Sequence, residues 1–125
     1  FRRVLFRSAF GSVLGNPFFG LPGNPVSTFV TFVIVTRPFL LAMQGAASSR
    51  PRGMPIPSGF SFRGGSRREY LRVRVCENSE GDPYLEKFVN QGSGVMTSVA
   101  WADGLAEVEI GQQVEPGDKL RVHRI

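Results

Sequence analysis

One cysteine, one histidine, one tryptophan and two lysines are all that this 125-residue chain holds of those types. The lone Cys76 excludes an internal disulfide framework, and the lone His123 excludes zinc sites built from several His and Cys ligands. No Ser/His/acid constellation can be assembled either, because His123 stands at the far end of the chain, where it reads as a strand-face residue. Nothing beside Cys76 would activate its thiol, so it reads as a packing residue at a strand end. Trp101 lacks the interleaved aromatics of single-strand nucleic-acid binders and reads as the plug of a small barrel. Glu77, Glu80 and Asp82 flank a glycine without the full spacing of a calcium loop.

What is present in excess is arginine, thirteen residues against ten acids, and the formal charge is +5. Three of these arginines lie in residues 1–8 (FRRVLFRS), which has neither the apolar run nor the small-residue cleavage site of a signal peptide. The octet resembles adaptor read-through and is expected to be a non-native segment. Without it the balance falls to +2, twelve basic residues against ten acidic. The remaining charge is unevenly spread. Arg50, Arg52, Arg63, Arg67, Arg68, Arg72 and Arg74 share their stretch with one acid, Glu69, whereas residues 75–125 carry nine acids. A solvated face and strand edge explains such a cluster, and so does a pocket for oxyanions, which arginine binds with a planar fork of donors. A nucleic-acid partner is not expected.

Residues 9–15 are glycine-rich and read as turn-like; FFGL (18–21) reads as a short buried strand. Pro22-Gly23-Asn24-Pro25 then carries backbone meaning. Gly23 allows positive φ or a close ligand approach, Asn24 is a good N-cap, and Pro25 suits the first helical position. A helix is therefore predicted over 25–44, stopped by Gly45 and kinked at Pro38. It is apolar on nearly every side. Its length approaches a membrane span, but Ser27, Thr28, Thr31, Thr36 and the Arg37-Pro38 pair argue for the core helix of a larger body. Outside that body it should expose sticky surface.

Residues 46–61 are rich in proline and glycine, and no regular element is expected there. Beyond them the pattern becomes β. EYLRVRVC (69–76) alternates Tyr70, Arg72 and Arg74 against Leu71, Val73 and Val75, the period of a half-buried strand. Further strands are predicted at 83–88, 95–100, 105–110 and 119–125, together a small barrel or sandwich, with residues 66–125 expected to fold on their own.

Two stretches carry possible chemistry. A strand–GLPGNPVS–helix junction leaves N–H groups free at the positive end of a helix, which suits an anion, with Ser27 as an added donor. The same turn could equally serve geometry alone. Residues 91–99 (QGSGVMTSV) could line a ligand or merely open a strand. No acid stands near GLPGNPVS to act as metal ligand or base, so on its own chemistry the chain binds rather than catalyses.

GLPGNPVS followed by TFVTFVIVTRPFLLAMQG, then GSRREYLRVRV, EKFVNQGSGVMTSVAWADGLAEV and EPGDKLRV, resembles the C-terminal part of the molybdopterin molybdenumtransferases, the molybdenum-cofactor insertion family related to the E domain of gephyrin. The resemblance implies an α/β fragment (9–46, the last strand and helix of an α/β domain), a linker at 47–53, and a small all-β barrel-like C-terminal domain at 54–125. It further implies a cytoplasmic, homodimeric parent enzyme with no membrane partner. That enzyme inserts molybdate into adenylylated molybdopterin with Mg2+, releasing molybdenum cofactor and AMP. Carried over by position, Pro22, Gly23, Asn24, Pro25 and Ser27 would border the substrate pocket. Arg67, Arg68, Ser93 and Ser98 would be the C-terminal domain's contribution. The catalytic residues remain unknown and no metal ligand is expected here, because the acidic Mg2+ ligands and the lysines of the α/β domain are not in the sequence. The 125-residue chain should therefore not turn over. The alternative is a stand-alone binding or scaffold module.

Overall fold

The computed structural model describes residues 8–49 and 52–125; the expectation about the N-terminal octet falls, but for Ser8, outside them. The chain divides into two compact units, Phe1–Arg50 and Pro51–Ile125.

In the first unit, β1 (Ala9–Val13) and β2 (Asn16–Gly20) form an antiparallel hairpin. Its two turn residues, Leu14 and Gly15, both have positive φ, 51° and 79°, as a turn matched to strand twist requires. The expectation of a turn-like stretch over 9–15 holds at Leu14-Gly15 and is corrected to a strand over 9–13. Small residues and a glycine weaken the β signal of AFGSV, and leucine is an unusual left-handed turn residue. The expected burial of FFGL is also corrected, since Phe18 is 51% exposed. Phe19 instead joins Phe10 and Phe39 in a three-ring cluster with centroids 5.0–5.5 Å apart.

Asn24 caps the helix, its Oδ1 accepting from Ser27 N at 3.4 Å, and Pro25 takes the first position. The Thr28 hydroxyl donates within the same turn, to Asn24 O and Pro22 O. The helix proceeds through α1 (Pro25–Thr31), a π-helical turn at Phe32–Thr36 and α2 (Arg37–Met43). Pro38 has no N–H and its ring would press on the carbonyl of Ile34. The wider turn just before it accommodates this, with Arg37 N donating five residues back to Phe32 O. At the other end Gly45 has φ 78°, and Ala46 N and Gly45 N reach Leu41 O and Ala42 O, a Schellman stop. By length and composition alone, Pro25–Met43 could cross a membrane. Within this unit its buried residues are Val26, Val33 and Thr36, while Phe32, Val35, Leu40 and Met43 face outward.

The second unit is mostly β-sheet. β3 (Met54–Pro57), β9 (Lys119–Arg124), β7 (Gly104–Val108), β5 (Glu69–Glu77) and β6 (Pro83–Lys87) lie side by side in that order, all antiparallel. A separate short pair joins β4 (Phe62–Arg63) to β8 (Gln113–Val114). The large sheet curls into a half-barrel, and its two edges meet where Ser58 bridges Leu85 and Gly59 N donates to Leu85 O at 2.9 Å. Alternation along the strands sends Leu71 and Val73 inward to Ile56, Leu85, Val108, Val114, Leu120 and Val122, with Phe60 and Phe62 packed against them. Each such side chain contributes about 1.5–3 kcal/mol on full burial.

Three expectations are corrected here. Residues 54–57 are a strand, not linker; Pro55 and Pro57 fit because β3 is an edge strand, where a missing N–H breaks no ladder. The predicted strand at 95–100 is a one-turn helix, α3 (Thr97–Trp101), because a short apolar run has no period that separates helix from strand. Trp101 does not plug the barrel: it lies on the outer side between Phe88 (5.2 Å) and the Arg74 guanidinium (4.6 Å). His123 does sit on a strand face, that of β9.

Candidate functional site

The segment joining β6 to β7 folds over the outer face of β5, and Arg72 holds it there. Its guanidinium donates from Nε to Ser98 Oγ (3.0 Å) and from Nη2 to Gly92 O (3.2 Å). Its backbone is gripped by Gln91, whose Oε1 accepts from Arg72 N at 2.9 Å and whose Nε2 donates to Arg72 O at 3.0 Å. The Gln91 amide therefore replaces a strand residue where β6 has ended. Arg72 is 5% exposed, and burial pulls its pKa below the ordinary guanidinium value. None of the ion pairs among the described residues includes it. A buried cation bonded to neutral acceptors, Ser98 Oγ and Gly92 O, lies beneath the QGSG loop that it holds.

The other expected residues separate clearly. Ser98 is fully buried; its hydroxyl donates to Val95 O at 2.6 Å and accepts from Arg72, so it builds the loop rather than facing solvent. Arg68 pairs with Glu107 and Glu109, each at 3.0 Å; Tyr70 first, then these two carboxylates, raise its pKa. Glu107 is shared with His123 Nε2 at 3.2 Å, while His123 Nδ1 is enclosed without a partner. Arg67 stands exposed nearby in sequence. In the first unit, Pro22, Asn24 and Ser27 are half-buried and Gly23 and Pro25 exposed. Gly23 is not left-handed, and a Cβ added there would meet nothing within 4 Å, so this chain's own packing does not require a glycine.

Sequence reasoning places Arg72 in an arginine cluster and Gln91 in a possible ligand stretch, but does not reveal their bonding to each other. Nothing local to Arg72 marks it for burial, because its cover comes from side chains 19 to 26 residues away. No three His, Cys, Asp or Glu side chains among the described residues are grouped to hold a metal ion.

The second unit is a small, mostly β domain with a curled half-barrel sheet that follows a hairpin-and-helix unit in sequence. The family model for the MoeA C-terminal region (domain IV) matches residues 56–125, more than half of the sequence, and the chain belongs to this family. The Drosophila melanogaster molybdenum cofactor synthesis protein cinnamon is 36% identical over 100 residues, 77% of this chain and 16% of that protein. The structure of a molybdopterin biosynthesis MoeA protein from Pyrococcus horikosii superposes with a TM-score of 0.72 at 29% identity, covering 94% of this chain and 28% of that one. A second, from Pyrococcus horikoshii OT3, has a TM-score of 0.69 at 19% identity over 93% of this chain and 29% of its own, a likeness of fold. The chain thus spans less than a third of each of these relatives.

Proposed function

We propose that the chain is the C-terminal part of a molybdopterin molybdenumtransferase, which transfers molybdate to adenylylated molybdopterin with release of AMP. The observation that carries the reading is the buried Arg72, outside the ion pairs of the described residues and bonded to Gly92 O of the QGSG loop. On this reading a guanidinium under an exposed glycine–serine loop draws an oxyanion such as molybdate to that loop, with Ser93 as a donor; Arg67, exposed elsewhere in the same unit, is a further candidate. In the first unit, the open space over Gly23 leaves the turn Pro22, Gly23, Asn24, Pro25 with Ser27 accessible to substrate. That unit is the end of the parent's α/β domain. No three His, Cys, Asp or Glu side chains among the described residues are grouped to hold Mg2+; on this reading its ligands belong to the remainder of a longer, cytoplasmic, homodimeric enzyme. On this reading the chain by itself binds without turning over.

Titration of the full-length protein with molybdate tests this. Arg72→Met and Ser93→Ala should each weaken binding several-fold, the first by removing the positive charge that holds the loop and the second by removing a donor. Unchanged binding in both would overturn the assignment. In a strain lacking cofactor insertion, the full-length gene should restore synthesis and residues 9–125 should not. Restoration by the short chain would move the catalytic residues into it.

A further inference from the structure

We draw no further inference here: the strongest candidate, the apolar cavity between the β1–β2 hairpin and the helix of the first unit, walled by Phe10, Phe19 and Phe39 with the buried Thr36 hydroxyl unpartnered at its side, carries nothing because nothing in the structure shows what covers it.

Discussion

Arg72 joins three roles that are usually separate: strand residue, loop anchor and buried cation. Arg72→Met keeps the stem's volume but leaves Gly92 O without its donor, and should cost residues 52–125 about 2 kcal/mol. Arg72→Lys keeps the charge but cannot reach both acceptors with a planar fork, so it should fall between the two. Urea unfolding measures both, and equal stability of all three proteins would deny the anchoring role. Glu115 offers a test by pH. Hydrogen bonds from Ser61 and Gln113 hold its carboxyl below the ordinary value of 4.5. A depressed folded-state pKa gives stability that is present above the unfolded value and lost as pH falls through the folded one. Ser61→Ala should therefore melt slightly below the parent at neutral pH, and the gap should close in acid; a gap that widens in acid would contradict it. At this scale the arginine cluster was legible in the sequence, but not the fate of its members. Arg68 is neutralised by Glu109, 41 positions away, and Arg72 is covered from 26 away, distances over which local pattern is silent.

Elements were legible where local chemistry and tertiary demand agree. Asn24-Pro25 opens the helix and Gly45 closes it as the sequence implies, and the alternation over 69–76 is the strand β5. The kink expected at Pro38 takes the form of a π-turn, because one added residue relieves the clash without breaking the helix. Where a run is short, the tertiary setting decides: β3 is a strand because β9 pairs with it, and α3 a helix because Ser98 and Arg72 bond there. The closure of the half-barrel was invisible, since it depends on one glycine. A Cβ on Gly59 would lie 2.8 Å from Leu85 O and 2.7 Å from the Tyr84 ring. Tyr84 can swing away, but the backbone oxygen of β6 cannot without opening the seam. Gly59→Ala should destabilise the second unit by about 1–3 kcal/mol. Amide exchange should rise first at residue 59, whose N–H donates across the seam to Leu85 O, and then along β6; a loss of stability spread evenly over the sheet would place the strain elsewhere.

Viewed whole, the chain joins a unit that buries little of its own apolar helix to one that closes a core of its own. A domain of about 70 residues is near the lower limit for independent stability, so each core contribution counts. Ile56 belongs to that core, Phe60 and Phe62 pack on it, and Ser58 and Gly59 seal the seam, all before residue 66. The expectation that residues 66–125 suffice is therefore too short. A chain of residues 52–125 should unfold in one cooperative transition by circular dichroism and sediment as a single species. A chain of residues 66–125 loses β3, β4 and the seam together. It should show no such transition. The complete chain, with Phe32, Val35, Leu40 and Met43 turned outward, should bind a hydrophobic dye that residues 52–125 do not, and self-associate at concentrations where they remain dispersed. Proteolysis should remove residues 25–43 before it cuts the half-barrel. Cooperative folding of residues 66–125, or early cuts inside the sheet while the helix stays protected, would show that the core boundary lies elsewhere.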